Sequence, residues 1–154
     1  MSSGYEVLHR AEPWTALREN TSNIIVHARY MPSVTTARQL DAHFRRCGFL
    51  ACAYHYVITG AGISVTRHPD SIGAATETYD RNSVYVALLG FDPKNDPLPS
   101  SYQTALKQLL ADLTARHPEA EILSAPELMK LEGYDAFNSF ISRERSRQHA
   151  RRQQ

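Results

Sequence analysis

Two histidines and a tyrosine next to apolar runs are the side chains with the widest chemistry in this chain. His27 follows the run Ile24 to Val26, and Tyr54 and His55 are neighbours in a second run. A neutral imidazole can bind a metal or form hydrogen bonds in a core, and a tyrosine hydroxyl can support a developing oxyanion. Taken one by one, we interpret His27 and His55 as packed, hydrogen-bonded residues, with a metal-ligand role for His27 still open.

No other combination of residues indicates an enzyme. No serine stands in a nucleophile-elbow pattern, and the Gly60-Ala61-Gly62 segment lacks a phosphate-cradling motif. Cys47 and Cys52 lack the spacing of a redox or zinc pair, so we interpret them as small apolar residues in a reducing compartment. The aspartates are scattered in a way that suggests surface and turn positions: Asp41, Asp70, Asp80 and Asp92.

The composition of the whole chain narrows the class of protein. Its 154 residues suit a single domain with one core. A formal net charge of +1 argues against bulk electrostatic attraction to nucleic acid or membrane. The sequence has no apolar run long enough to span a bilayer and no secretory pattern at its start. We therefore expect a protein made in the cytoplasm that does not enter a membrane.

A hairpin is the central element that must position Tyr54 and His55. Residues 53–58 are apolar and β-branched or aromatic, Gly60 and Gly62 mark a tight turn, and residues 63–67 form the returning strand. Alternation along a strand predicts that Tyr54 and His55 point to opposite faces of the sheet.

The remaining elements predict a sheet with helices on it. Residues 23–27 and 84–89 have the continuous apolar character of strands buried on both faces, and residues 121–124 suggest a last strand. Helical spacing predicts helices from Thr35 or Thr36 to about Cys47, from Ser101 to a stop at Pro118, and over residues 135–150. The predicted fold class is α/β, with a central mixed sheet flanked by helices. The predicted divisions are an N-terminal arm over residues 1–22, anchored by Trp14, a domain over 23–141 and a tail over 142–154.

The order of these segments resembles one known family. The matching landmarks are a buried strand ending at His27, Gly48-Phe49 after a helix, the run Tyr54-His55-Tyr56-Val57-Ile58, Gly62 and Arg67 in the return, and Tyr79-Asp80-Arg81-Asn82-Ser83-Val84 before a strand that Gly90 closes. In this order and spacing the chain resembles the zinc-dependent N-acetylmuramoyl-L-alanine amidases, which include phage amidase lysozymes and peptidoglycan recognition proteins. The resemblance covers residues 23–141.

The resemblance also implies a zinc site, from which this sequence departs. The family holds one zinc with two histidines and a third histidine or cysteine, and the metal activates a water for attack on an amide. His27 matches the first ligand, but Pro126 and Tyr134 fall on the other two positions. Tyr54 matches a tyrosine that the family places beside the metal. We therefore expect no bound zinc and no catalytic residue, with His27 and Tyr54 forming a vestigial cleft.

An atypical metal site is the alternative that this departure leaves open. Residues 122–134 contain no histidine and no cysteine, although Glu127 or Glu132 could supply oxygen ligands. In that case the chain would be an active peptidoglycan amidase with an unusual ligand set.

The polar segment of residues 68–83 is the candidate binding loop. Loops of this length in compact domains are often functional. A histidine that the family carries before Tyr79 is replaced here by the stretch Gly73-Ala74-Ala75-Thr76. We predict that the loop contributes four binding residues to the old cleft: Ala75, Thr76, Tyr79 and Asn82.

The C-terminal segment is arginine-rich. Residues 142–152 hold five arginines and one glutamate: Arg143, Arg145, Arg147, Arg151 and Arg152. One interpretation is a solvated helix end, where cations suit the helix dipole. The other is a contact with nucleic acid or with an acidic protein surface, without base stacking because the segment lacks aromatic residues.

Together these features predict a non-enzymatic protein built on the amidase fold. We expect a phage-encoded binding or structural component, either in a virion or tail assembly or as a binder of peptidoglycan fragments. Expected partners are other proteins of an assembly or further copies of the chain, with nucleic acid at the tail left open. The alternatives are the active amidase and a regulator that binds another protein.

Overall fold

The computed structural model describes residues 4–9, 16–94 and 97–153, and within them a six-stranded sheet carries helices on both faces. The strands are β1 (Glu6–Val7), β2 (Asn23–Arg29), β3 (Tyr56–Thr59), β4 (Gly62–Val65), β5 (Ser83–Leu89) and β6 (Glu121–Ser124). Their order across the sheet is β1-β4-β3-β5-β2-β6. Strands β2, β3, β5 and β6 are parallel, and only the β3–β4 hairpin is antiparallel. The predicted fold class, a mixed sheet flanked by helices, is confirmed.

The helices divide the core into two layers. They are α1 (Ala37–Arg46), α2 (Ser100–Arg116), α3 (Ala125–Leu128) and α4 (Asp135–Arg152), with a 3₁₀ turn at Asp80–Asn82. Even-numbered residues of β2 and β5, such as Ile24 and Val86, pack under α2 and α4. Odd-numbered residues, such as Ile25 and Tyr85, pack on the α1 side. Both strands are therefore buried on both faces, as their continuous apolar runs predict.

Helix α1 begins where its sequence provides a cap. The Thr36 hydroxyl accepts a hydrogen bond from the Gln39 backbone N–H at 3.1 Å, and the Gln39 side chain accepts one from the Thr36 N–H at 3.1 Å. This reciprocal pair satisfies donors that a helix start leaves without partners. Cys47 caps the other end, and Gly48 follows with a φ of 97°, which stops the helix.

Replacing Thr36 with alanine should lower the free energy of unfolding by about 1 kcal/mol, because one backbone N–H at the helix start loses its acceptor. Urea denaturation measures this loss. Thr35→Ala is the matched control, because the Thr35 hydroxyl accepts no hydrogen bond from the helix backbone in this structure. Equal losses in the two variants would contradict the capping role.

The two long helices carry the predicted apolar faces. Helix α2 buries Tyr102, Leu106, Leu109, Leu110 and Leu113 and ends before Pro118. Helix α4 buries Phe137, Phe140 and Ile141. Both helices lie where helical spacing predicts them, so these two predictions are confirmed. No helix among the described residues is both long and apolar enough to cross a membrane.

The boundaries of two predicted segments and the presence of one short helix differ from the prediction. Strand β2 runs two residues beyond His27, because Ala28 and Arg29 pair with the end of β5. The hairpin strands are β3 and β4 alone, so residues 53–55 and 66–67 lie outside the regular ladder. A short helix, α3, was not predicted; it starts where the Ser124 hydroxyl accepts the Glu127 N–H, with a proline in its first turn.

The N-terminal segment is part of the sheet. Strand β1 pairs with β4, and Leu17 forms a bridge with Ser71. The Ser22 N–H donates to the Asn82 carbonyl at 2.7 Å, and the Ser22 carbonyl accepts from the Glu121 N–H at 2.9 Å. The predicted anchor Trp14 lies outside the described residues. At the other end, residues 135–152 form one continuous helix, α4, that contacts β6.

Candidate functional site

The structure brings His27 and Tyr54 together on the α1 side of the sheet. The centres of their rings are 6.4 Å apart. His27 lies on the same side of β2 as Ile25, because side chains alternate along the strand. Tyr54 is 5% exposed and also contacts the ring of Phe44, with ring centres 5.9 Å apart. The two residues of the predicted cleft are therefore neighbours.

His27 is a neutral imidazole in this setting. Burial lowers its pKa to about 4, and the positive charge of Arg29 acts in the same direction. Its Nδ1 atom is buried and has no hydrogen-bond partner among the described residues. A buried ring nitrogen without a partner is uncommon in a core and calls for an explanation.

Arg29 is the residue of this site that the sequence analysis missed. Its guanidinium carbon lies 5.6 Å from the ring centre of Phe44 and 6.0 Å from that of Tyr54. Burial raises the pKa of Tyr54 to about 12, against the opposing effect of the Arg29 charge. The phenol therefore keeps its proton at neutral pH. The sequence could have indicated this position. If the strand continues past His27, side-chain alternation places residue 29 on the same face of the sheet as His27.

The binding loop reaches this face through Tyr85. The Thr76 hydroxyl lies 3.0 Å from the Tyr85 hydroxyl, and the Tyr85 ring stands edge-on to Tyr54 with ring centres 6.4 Å apart. Ala75 and Tyr79 pack against the same core layer. Three of the four predicted binding residues are thus on the α1 side of the sheet.

Asn82 lies elsewhere. His27 pairs with Ala87, and Asn82 comes before the start of β5, about 16 Å away at roughly 3.3 Å per residue. It lines a separate groove with Asn20 and Ile72. The structure therefore places Asn82 away from His27, although its backbone N–H donates to the Tyr79 carbonyl at 3.3 Å.

His55 is a packed, hydrogen-bonded residue, as predicted. Its Nδ1 accepts the Tyr85 backbone N–H at 2.9 Å, so Nε2 carries the proton and donates to the Ser71 carbonyl at 2.8 Å. Arg18 also donates to the Ser71 carbonyl, at 2.6 Å. Burial lowers the pKa of His55 to about 3, with the Arg18 charge adding to the effect.

The predicted opposite facing of Tyr54 and His55 is wrong. The His55 ring stacks on the Tyr85 ring, with ring centres 6.0 Å apart and planes 10° apart, while Tyr54 contacts the same ring from its edge. The reason is that residues 53–55 lie outside the regular ladder, so strict alternation does not apply to them.

Comparison with known proteins places this geometry in a known fold. No family model and no curated protein matches the chain. Among solved structures, the Ph2119 endolysin of a Thermus scotoductus bacteriophage is 20% identical, with 79% of this chain and 86% of that chain covered and a TM-score of 0.68. The N-acetylmuramoyl-L-alanine amidase LysCS from Clostridium intestinale is 17% identical over 77% and 80%, with a TM-score of 0.64. A point mutant of Drosophila PGRP-LB in complex with tracheal cytotoxin is 24% identical over 75% and 76%, with a TM-score of 0.63.

This chain has the amidase fold. The likeness is one of structure, since all three identities are low. It confirms the fold that the resemblance implied, with β2, which carries His27, and β3, which follows Tyr54, on either side of β5.

The residues present do not fit the zinc site expected in this amidase fold. Within residues 4–9, 16–94 and 97–153, no group of three or more histidine, cysteine, aspartate or glutamate side chains could hold an ion. Near His27 the neighbouring groups are a phenol, Tyr54, and a cation, Arg29. A positive charge next to the first ligand opposes binding of a second cation.

The two positions aligned with the missing ligands are both buried. Tyr134 belongs to the core layer under α2 and α4, opposite to the side of His27, with the Lys94 ammonium 5.7 Å from its ring centre. Pro126 is buried in the first turn of α3. Neither residue type is a zinc ligand, and Tyr134 is on the wrong side of the sheet to approach His27.

The arginines at the end of α4 bind largely to the protein itself. Arg145 donates to the Ile122 carbonyl at 3.0 Å, and Arg152 donates to the Pro118 and Ala120 carbonyls, each at 2.9 Å. These bonds attach the helix to β6 and to the turn before it.

The other three arginines of this helix are exposed. Arg147 pairs with Glu144 at 2.5 Å. Arg143 lies 5.9 Å from the ring centre of Phe140, and Arg151 lines a groove between α2 and α4. A contact with nucleic acid or an acidic protein through these side chains stays a prediction.

Proposed function

We propose that this amidase-fold chain binds peptidoglycan fragments without hydrolysing them. The observation that carries the proposal is the pair His27 and Tyr54, whose rings lie together on the α1 side of the sheet beside the Arg29 guanidinium, with no group of three metal-binding side chains among the described residues. The binding surface is this face together with the loop residues Thr76 and Tyr79. Amidases and a recognition protein with the same fold, one in complex with tracheal cytotoxin, support the ligand class.

The charges of the site explain why we expect no amide cleavage. Water becomes a nucleophile near neutral pH when a metal lowers its pKa or a base with a suitable pKa removes its proton. His27 has a pKa of about 4, and Arg29 disfavours the imidazolium that proton transfer would create. Tyr54 holds its own proton. The described site therefore offers two neutral hydrogen-bonding groups, His27 and Tyr54, and one cation, Arg29. Such a surface suits ligand binding.

The biological setting is a further part of this proposal. A bacteriophage endolysin is among the structures with this fold, and on this basis we propose that the chain is a phage protein, a component of a virion or tail that contacts the cell wall. The exposed arginines of α4, Arg143 and Arg151, are then available for contacts with other proteins of the assembly.

Sedimentation with polymeric peptidoglycan tests the binding. The protein should pellet with the polymer, and Tyr79→Ala should weaken binding about fivefold or more if this half-buried ring belongs to the contact. Lys107→Ala on α2 is the control and should leave binding unchanged. Absence of the protein from the pellet would overturn the proposal.

Metal content and peptide release distinguish the binder from the active amidase. We expect neither a stoichiometric zinc ion nor release of muramic-acid-linked peptide. One zinc per chain, together with peptide release that His27→Ala abolishes, would establish the amidase instead.

A further inference from the structure

We propose that Arg29 is the specificity residue of this face and binds a carboxylate group of the ligand. That the carboxylate belongs to the peptide of a peptidoglycan fragment rests on the proposed function above. The anion site itself follows from the position, packing and charge of Arg29 and is tested separately.

The fold holds the guanidinium in place. Arg29 ends β2 and pairs with Leu89, the last residue of β5, so its backbone is anchored at the carboxyl end of these strands. The rings of Phe44 and Tyr54 both lie within about 6 Å of the guanidinium carbon. Such contacts use the flat face of the group and leave its N–H donors at the edge for a planar, two-oxygen partner. The arrangement is thus ready for a ligand before the ligand binds.

The charge of Arg29 is not balanced by the protein. No described aspartate or glutamate lies within salt-bridge distance of Arg29, whereas Arg45 pairs with Asp41 at 2.8 Å and Arg147 with Glu144 at 2.5 Å. Arg29 is only partly exposed. A partly desolvated cation without a carboxylate partner costs free energy, which an anionic ligand would recover.

The neighbours of Arg29 favour an anion. The buried Nδ1 of His27 has no hydrogen-bond partner among the described residues. The Tyr54 hydroxyl can donate to an oxygen. A carboxylate here would accept hydrogen bonds from Arg29 and Tyr54 together.

The side-chain Nε–Hε signal of Arg29 tests the anion site directly. Glutarate, a small dicarboxylate, should shift this signal in a saturable manner, and uncharged glutaramide should leave it in place. Arg29→Gln assigns the signal. Arg143 is the matched control, since it also lies over a ring, 5.9 Å from the centre of Phe140, but on α4. A signal that ignores glutarate, that responds equally to glutaramide, or that prefers inorganic phosphate would overturn the inference.

A muropeptide pair connects this site to the proposed function. N-acetylmuramoyl-L-alanyl-D-glutamate should bind about 10- to 100-fold more tightly than its diamide, because a hydrogen-bonded ion pair is lost in the diamide. Arg29→Gln should abolish the preference, Arg29→Lys should keep part of it, and Arg143→Gln should keep all of it. Binding of both forms with equal affinity would overturn the role of Arg29 while the proposed function stands. A response to glutarate without any muropeptide binding would overturn only the proposed function.

Discussion

Acidification from pH 7 to pH 4.5 is expected to remove on the order of 5 kcal/mol from the free energy of unfolding through two histidines. Burial lowers the pKa of His55 to about 3 and that of His27 to about 4, from an ordinary value of 6.5. Between these values and 6.5 the unfolded chain binds more protons than the folded one. Stability is therefore complete above about pH 6.5 and falls as the pH falls.

Guanidinium denaturation at a series of pH values measures this loss. His55→Asn should remove about half of the pH dependence, because an amide oxygen can still accept the Tyr85 N–H but cannot titrate. His43→Gln, at a partly exposed position of α1, is the control for loss of an imidazole and should keep the slope of the parent protein. An unchanged slope in His55→Asn would contradict the burial argument.

Tyr85→Ala should cost about 3–5 kcal/mol of stability, the range for removal of a buried aromatic side chain. Tyr85 is 1% exposed and contacts three parts of the site: the stacked ring of His55, the edge of Tyr54, and the hydroxyl of Thr76. Tyr85→Phe keeps the ring and should cost about 1 kcal/mol, the value of one hydrogen bond. Equal losses in the two variants, measured by urea denaturation at neutral pH, would contradict a packing role for the ring.

A substitution at Gly73 tests the packing of the loop against the Tyr85 ring. A Cβ atom at Gly73 would lie 2.5 Å from the Tyr85 ring and 3.0 Å from His55. Gly73→Ala should therefore cost about 1–3 kcal/mol by overpacking. In the Tyr85→Ala background the same change should cost little, because the ring that it meets is gone. An equal cost in both backgrounds would show that the loop does not depend on this contact.

Local patterns in the sequence were sufficient for most of the fold. The alternating sides of β2 and β5 and the apolar faces of α1, α2 and α4 follow from periods of two and about 3.6 residues, which depend only on neighbours in the chain. The caps depend on neighbours too, as the Thr36 and Gln39 pair shows. The two-residue period of a strand would also have placed Arg29 on the same face as His27 if the predicted strand had been extended by two residues.

Other features followed from contacts between distant segments. Whether residues 53–55 continue the ladder depends on the bonds that His55 makes with Tyr85 and Ser71, far along the chain. These bonds replace regular ladder pairing at residues 53–55. As a result, the side chains of Tyr54 and His55 both contact the Tyr85 ring. Strand periodicity alone could not anticipate this exception.

The sequence by itself determined that this protein is an α/β sheet flanked by helices, with His27 at a buried strand and no histidine or cysteine in residues 122–134. Only the tertiary structure decided that Tyr54 and Arg29 meet His27, that Asn82 lies away from His27, and that Tyr134 packs on the other side of the sheet. The physical reason is that periodicity specifies the face of each element, whereas sheet order, register and crossovers determine which faces come together.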